Sequence, residues 1–191
     1  RSNVWNPELW LYSGKILFKN PVGDDAIFDE KTIESTLEKA VAYFSGDLGC
    51  RIYNLSIGNE NAPYDNRHIR GIAYTLDRLA REYNALFIVS AGNFRGTETT
   101  PRNSWYEEYP EYLLADDSII IDPAPALNVI TVGALANHTA NVDEQRYGDR
   151  EINYLSPAAE DQPSPFTRHG TSIKGAFKPD LMAHGGNSAS Q

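Results

Sequence analysis

The chain has 191 residues with ordinary hydrophobic (41%) and charged (23%) fractions, enough for one domain with a substantial core. Its formal net charge of −9 disfavours nucleic acid or an anionic membrane surface as a partner, and no apolar run approaches the length of a membrane span. Cys50 is the one cysteine, which excludes an internal disulfide and a cysteine-based metal site.

Apolar runs and amphipathic helices alternate along the first half of the chain. A strand is predicted over Leu9–Phe18, followed by a loop and by an amphipathic helix in "TIESTLEKAVAYF". Cys50–Gly58 is predicted to form a second strand. The stretch "DNRHIRGIAYTLDRLAREYN" predicts a second helix, with Asp65 as its N-cap and Asn84 as its C-terminal stop. The run "ALFIVSAGN" comes next and predicts a third strand.

The second half keeps this pattern after one interruption. Residues 94–121 are dense in Trp, Tyr and Glu and are predicted to be an insertion, either helical or a packed surface loop. Asn128–Ala136 is a fourth strand, a polar stretch follows, and Lys178–Gly186 carries a short final strand. Strands that alternate with helices predict crossover connections and a parallel sheet, so the predicted fold class is α/β.

Small residues follow the strands at three points, in "NLSIG", "SAGN" and "AHGG". Ligands in open parallel sheets lie at the carboxyl ends of the strands, and small residues there let another backbone approach closely. Any one of these stretches is also what a tight turn requires. Together with "DPAPALNVITVGA" and with "SPFTRHG" followed by "FKPDLMAHGG", in this order, they resemble the subtilisin-like serine proteases, the subtilases, from about Leu11 to Gly186.

The resemblance implies a three-layer, doubly wound parallel sheet of the subtilisin type, of which residues 1–191 form a single, partial catalytic domain. In this family the catalytic Asp and His precede the strand that matches Leu11–Phe18, and the catalytic Ser follows the strand before Gly186. We therefore expect the N-terminal and C-terminal parts of the domain, and the whole triad, to lie outside this sequence, so that the fragment alone is inactive. The start at Arg1 agrees with this, and both secreted and cytoplasmic locations are consistent with it.

The same resemblance assigns roles to the residues that follow two of the strands. The "SAGN" motif would place Asn93 in the oxyanion hole, where a neutral amide donor stabilises the tetrahedral intermediate of acyl transfer. Two short segments would form walls of the pocket for the P1 side chain, the substrate residue before the scissile bond. Their small residues predict an accommodating, apolar pocket, and a peptide or protein substrate would pair its backbone with the first wall. The wall residues are Ser56, Ile57 and Gly58 in the first segment and Ser90, Ala91 and Gly92 in the second.

Other conspicuous residues are given structural interpretations. The "HGTS" stretch, His169–Ser172, precedes "KPDL" and lacks a helix-forming sequel, so Ser172 is not predicted to be a nucleophile. No metal ligand is assigned and no cofactor is required. Subtilases often bind calcium, but the acidic pairs Asp24–Asp25 and Asp116–Asp117 have no spacing that specifies a calcium site. Asp122–Pro123 is predicted to be cis, because the family often has a cis proline beside the cleft.

The expected absence of a central strand raises the question of what pairs with the strand in Ile52–Gly58. We expect this edge either to rejoin Leu11–Phe18 or to associate with another copy of the chain, while the strands from Ile52 onward could form a four-stranded sheet by themselves. A second class of function stays open, a noncatalytic subtilase-like domain that keeps the peptide groove. A nucleotide-binding domain is disfavoured, since no GxGxxG or Walker A pattern is present.

Overall fold

The computed structural model describes residues 9–22, 26–139 and 157–187. The chain divides into two compact units, Arg1–Cys50 and Arg51–Gln191. Within the described ranges, no helix is long and apolar enough to cross a membrane. All residues of the predicted site belong to the second unit, so the fold of that unit decides how they are positioned.

In its described residues, 9–22 and 26–50, the first unit contains one helix and a pair of very short strands. Phe18–Lys19 (β1) pairs antiparallel with Ala26–Ile27 (β2), and Ile33–Gly46 forms helix α1, as predicted. The strand predicted over Leu9–Phe18 is wrong except at its last residue. Gly14 interrupts this run and lies against the ring of Phe44, where an added Cβ would be 3.1 Å from a ring carbon. Pairing with β2 closes only a short loop, which costs less chain entropy than pairing with a distant strand.

Four parallel strands form the central sheet of the second unit, and each lies within a segment predicted to be a strand. In chain order the elements of this unit are β3 (Ile52–Leu55), β4 (Asn59–Pro63), α2 (Gly71–Glu82), β5 (Leu86–Ser90), β6 (Ile121–Asp122), β7 (Val129–Leu135), β8 (Gly170–Thr171), β9 (Phe177–Lys178) and β10 (Leu181–His184). The order across the sheet is β10-β7-β5-β3. The predicted α/β class with a parallel sheet is thereby confirmed.

Helix α2 begins later than predicted because its N-terminus is capped from a distant part of the chain. It starts at Gly71, and the Asp122 carboxylate accepts hydrogen bonds from the backbone N–H groups of Ile72 (2.9 Å) and Ala73 (2.7 Å). A Cβ at Gly71 would lie 2.6 Å from that carboxylate, so the position requires glycine. The prediction of Asp65 as the N-cap is wrong, since its carboxylate accepts backbone hydrogen bonds within its own loop.

One face of the sheet is covered by α2, which contacts β5 and β7. The helix ends before Asn84, whose positive φ of 47° is the left-handed conformation that stops a helix, as predicted. Phe87 and Val89 of β5 and Thr131 of β7 point into the interior and are at most 1% exposed. Their neighbours along each strand point to the opposite face, because side chains alternate in a strand.

The order of the strands is compared here with the expectations for β3, the strand at one end of the sheet. The strands from Ile52 onward do form a four-stranded sheet by themselves, as predicted. Phe18 and Lys19 pair with Ile27 and Ala26, and the expectation that Leu11–Phe18 rejoins this sheet stays a prediction. Association with another copy through this edge stays a prediction.

Residues 94–121 fold around an aromatic cluster. Two short 3₁₀ helices, Glu111–Leu114 and Asp116–Ser118, belong to this stretch. Phe94, Tyr112 and Leu113 are buried, and Trp105 and Tyr109 pack against them. The stretch is therefore a packed loop with short helical turns, one of the two forms that the sequence predicted. Its interpretation as an insertion stays a prediction.

Candidate active site

The two predicted pocket walls lie side by side at the carboxyl ends of neighbouring strands. Leu55 of β3 is in register with Val89 of β5, so the segments that follow, Ser56–Gly58 and Ser90–Gly92, leave the sheet next to each other. The Ser90 hydroxyl lies 3.5 Å from the carbonyl oxygen of Ile57, which links the two segments. Residues that are more than 30 positions apart in sequence are thus brought together as the resemblance implied.

An open cleft of about 440 Å³ lies at this end of the sheet. Five of the predicted site residues line it, namely Ser56, Ser90, Ala91, Gly92 and Asn93. Its remaining lining comes from β3 and β5, from the ends of β7 and β10, and from Thr167, none of which was assigned a site role. The sequence motifs "AHGG" and "SPFTRHG" include some of these residues, but the resemblance assigned them no role in the site. The parallel sheet itself predicts that the ends of all four strands meet at one edge.

Asn93 stands at this cleft with a fixed backbone and an exposed side chain. Its backbone forms an antiparallel bridge with Thr167, and the N–H of the next residue donates to Phe166 (2.7 Å). Gly92, just before it, has a φ of 97°, a conformation that favours glycine. No hydrogen bond to the Asn93 carboxamide is found among the described residues. The amide is therefore a neutral donor that is available at the cleft.

Arg168 anchors the backbone of Asn93. Its Nε donates to the Asn93 carbonyl (3.0 Å), and its Nη1 donates to the carbonyls of Asp117 (2.9 Å) and Ile119 (2.8 Å). The guanidinium also lies 5.5 Å from the centre of the Phe94 ring. Burial lowers the pKa of Arg168, an effect that the nearby carboxylates oppose, yet an arginine stays charged at neutral pH. The "SPFTRHG" motif contained this residue, but nothing in the sequence indicated its partners.

Ile121 occupies the space between the two walls at their far ends. Its side chain is 2% exposed. A Cβ added at Gly58 would lie 2.8 Å from its Cδ1, and a Cβ added at Gly92 would lie 2.8 Å from its Cγ1. These distances are too short for a real contact, so the isoleucine at this position excludes side chains at both glycines. Ile57, Gly58 and Ile121 are not among the residues that line the cleft.

Comparison with known proteins identifies the family. The sequence profile of the Subtilase family matches residues 10–191. The chain belongs to the subtilase family.

Two individual proteins are similar to this subtilase chain. The uncharacterized protein y4bN of Sinorhizobium fredii (strain NBRC 101917 / NGR234) is 40% identical over 153 residues, which cover 80% of this chain and 35% of y4bN. The chain thus spans about a third of the length of this curated relative. The structure of the prenylagaramide maturation protease PagA aligns with 82% of this chain and 44% of its own, with 20% identity and a TM-score of 0.35.

The "HGTS" stretch of this subtilase is not built as a nucleophile and its base. Nε2 of His169 contacts the carbonyl oxygen of Leu113, while the hydroxyl of Ser172 donates to the carbonyl of Pro125. Ser172 is 3% exposed and therefore has no access to a substrate. Both side chains hold loops together, in agreement with the structural interpretation of this stretch.

The acidic residues considered for cation binding have other contacts. Asp117 accepts hydrogen bonds from the hydroxyls of Thr97 and Thr100, each at 3.1 Å. In the part of the chain that the structure describes, no three His, Cys, Asp or Glu side chains form a group that could hold a metal ion. Asp24–Asp25 lies outside the described residues. The predicted cis bond at Asp122–Pro123 is confirmed, and the Asp122 carboxylate serves as the cap of α2.

Proposed function

We propose that this chain is the central part of the catalytic domain of a subtilisin-like serine endopeptidase. In this proposal the enzyme hydrolyses peptide bonds by transferring the acyl group of the substrate to a serine and then to water. Asn93 donates its carboxamide N–H to the oxyanion. The substrate's P1 side chain enters between Ser56–Gly58 and Ser90–Gly92.

The observation that carries this proposal is the position of Asn93. A donor in an oxyanion hole must be fixed before the reaction, because a donor that reorients during the reaction loses most of its benefit. The backbone of Asn93 is held by Thr167 and Arg168, and its carboxamide stays exposed at the cleft. A neutral amide also needs no proton of its own, so it is effective over a wide pH range.

Substrate binding in this proposal uses the first wall as a template. Ser56 and Gly58 are exposed, so an extended peptide has access to the backbone of this segment. The catalytic Asp, His and Ser would come from parts of the protein beyond this chain, since His169 and Ser172 are engaged elsewhere. By itself the chain would therefore supply the binding site and the oxyanion donor without hydrolysing peptides.

Labelling the full-length protein with a fluorophosphonate tests the presence of an activated serine. We expect covalent labelling of one serine outside this chain, together with hydrolysis of peptide substrates. The isolated 191-residue chain should not be labelled. A full-length protein that binds peptides but takes up no label would instead indicate the noncatalytic peptide-binding domain.

The Asn93→Ala variant tests the role of the amide. We expect kcat to fall by about 10²–10³ with little change in KM, a magnitude known from removing the corresponding asparagine of subtilisin itself. Fluorophosphonate labelling should persist, because the serine and its base are unchanged. Asn103→Ala, at an exposed asparagine in the 94–121 loop, is the matched control and should retain full activity. A kcat within a factor of two of the wild type in Asn93→Ala would remove Asn93 from the oxyanion hole.

A further inference from the structure

The chain is anchored in the interior one residue after the proposed oxyanion donor. Asn93 is exposed at the cleft, whereas the next residue, Phe94, is 1% exposed. A single peptide bond therefore joins a residue that is open to a ligand to one that is sealed from solvent. Any displacement of the Phe94 side chain is passed on to the backbone that carries the Asn93 carboxamide.

Two aromatic rings of the 94–121 loop enclose the Phe94 ring. The centre of the Trp105 ring lies 5.8 Å away in an edge-on arrangement, and the centre of the Tyr112 ring lies 6.1 Å away with the ring planes at 29°. Trp105 and Tyr112 also contact each other edge-on, with their ring centres 5.0 Å apart. Gly96 lets the indole approach, because an added Cβ there would lie 2.9 Å from the Trp105 ring. Since each of the three rings contacts the other two, no ring moves independently of its neighbours.

Hydrogen bonds tie the backbone of Phe94 to the same aromatic cluster. Its N–H donates to the carbonyl of Phe166 (2.7 Å), and the Tyr112 hydroxyl donates to the carbonyl of the preceding residue, Pro165 (2.9 Å). The residue after Phe166 forms the antiparallel bridge with Asn93. Tyr112 therefore contacts Phe94 through its ring and, through its hydroxyl, the segment that pairs with Asn93.

We propose that Phe94 is a positioning residue for the Asn93 carboxamide and that Trp105 and Tyr112 hold it in place. Its buried ring fixes the backbone from which the amide donates to the oxyanion. This inference rests on the proposed function, since it assumes that Asn93 is the oxyanion donor. It also gives the 94–121 loop a role in the reaction, because the loop fixes the donor from the side that faces away from the substrate.

The physical basis is the steep dependence of catalysis on the position of a donor. An oxyanion donor has most of its effect when it is fixed before the reaction, and a misplacement of about 1 Å can cost about 10²-fold in rate. Protein interiors are packed to the density of organic crystals, so a smaller residue in place of Phe94 leaves unfilled space between the two neighbouring rings. The backbone at Asn93 then gains freedom. The resulting loss of rate is limited to the loss caused by removing the amide itself.

The test measures kcat and KM of the full-length protein with one peptide substrate, as wild type and as Phe94→Leu. We expect kcat to fall by about 10- to 100-fold and KM to change by less than about twofold, because the donor acts in the transition state. Active enzyme is counted by fluorophosphonate labelling, so a loss of folded protein does not lower the measured kcat. In the Asn93→Ala background, Phe94→Leu should have no further effect on kcat, because the donor that Phe94 positions is absent.

Leu113→Ala is the matched control. Leu113 is a buried member of the same cluster, so its truncation should lower the free energy of unfolding but leave kcat at the wild-type value. If Phe94→Leu does not fold, Trp105→Phe is measured instead, at a partly buried position. This variant keeps a ring beside Phe94 but shortens the contact between them. It should lower kcat by a few-fold in the wild-type background and have no effect in the Asn93→Ala background.

Two outcomes would overturn the inference while leaving the proposed function intact. One is a wild-type kcat in Phe94→Leu. The other is a loss of kcat that persists in full in the Asn93→Ala background or that is equally large in Leu113→Ala. Failure of the proposed function has a different signature, which is no fluorophosphonate labelling or a wild-type kcat in Asn93→Ala itself, and it would overturn both.

Discussion

The two faces of the central sheet differ in what their side chains do. On the face covered by α2, Phe87 and Thr131 are sealed from solvent. On the opposite face, Ile88, Ser90 and Val132 are only partly buried and line the cleft. The same strands supply both sets, because side chains alternate. One face therefore stabilises the unit, while the other is open to a ligand or to further parts of the protein.

The largest expected effect is on the free energy of unfolding, when one residue on each face of β5 is truncated. Phe87→Ala should lower the free energy of unfolding by about 3–5 kcal/mol, because it leaves a cavity under α2. Ile88→Ala, at a partly exposed position, should cost about 1–1.5 kcal/mol. Urea denaturation of the full-length protein measures both. Equal losses would contradict the comparison and would mean that other parts of the protein cover the open face as completely as α2 covers the first.

A second prediction concerns Arg168, which holds the backbone of Asn93 beside the open face. Arg168→Lys retains the positive charge but has a single nitrogen, which is unable to donate at once to Asn93, Asp117 and Ile119. We expect kcat to fall by about tenfold with KM almost unchanged, since Asn93, the oxyanion donor of the proposed function, would be less well fixed. Steady-state kinetics of the full-length protein give the two constants separately.

The control for this prediction is the same substitution in the Asn93→Ala background. If Arg168 acts through Asn93, Arg168→Lys should have no further effect on kcat there, because the donor that it positions is gone. A full additional tenfold loss in this background would mean that Arg168 supports the fold of the loop in general and is not a positioning residue for Asn93.

The sequence was sufficient for those features that depend on local pattern. The apolar stripe of α1, the buried runs of β5 and β7, and Asn84 as a helix stop follow from periodicity and backbone preference. The family motifs were sufficient to predict that Ser56–Gly58 and Ser90–Gly92 lie side by side. Asp122 as the cap of α2 was not predictable in this way, because it lies 50 positions from Ile72, the residue that it binds. The strand predicted over Leu9–Phe18 was wrong, because an apolar run does not indicate which other strand it pairs with.

The candidate site shows the same difference between contiguous motifs and contacts of residues that are far apart in sequence. Asn93 was assigned to the oxyanion hole because "SAGN" is a contiguous motif, and this assignment stays a prediction. The contacts of Ile121 with Gly58 and Gly92, and of Arg168 with Asn93, were not predicted, because only the folded chain creates them. The motif that contains Arg168, "SPFTRHG", did not indicate which groups its guanidinium binds.

The smallest expected effect tests the aromatic loop beside the open face. The Tyr112 hydroxyl donates to the Pro165 carbonyl (2.9 Å), and burial raises the pKa of Tyr112. An unfolded tyrosine ionises near pH 10. Below that pH both states are neutral and the stability is fully present, while above it the unfolded state loses its proton first and the stability is lost as the pH rises.

Tyr112→Phe removes the hydroxyl and with it this pH dependence. At pH 8 the variant should be less stable by about 1 kcal/mol, the usual net value of a hydrogen bond. Above pH 10 the gap between wild type and variant should narrow, because only the wild type has this tyrosine to ionise on unfolding. Urea denaturation at several pH values from 8 to 11 measures this difference in the free energy of unfolding. Tyr106→Phe, at an exposed tyrosine, is the control. Parallel curves for wild type and Tyr112→Phe would show that the buried hydroxyl does not couple folding of this loop to pH.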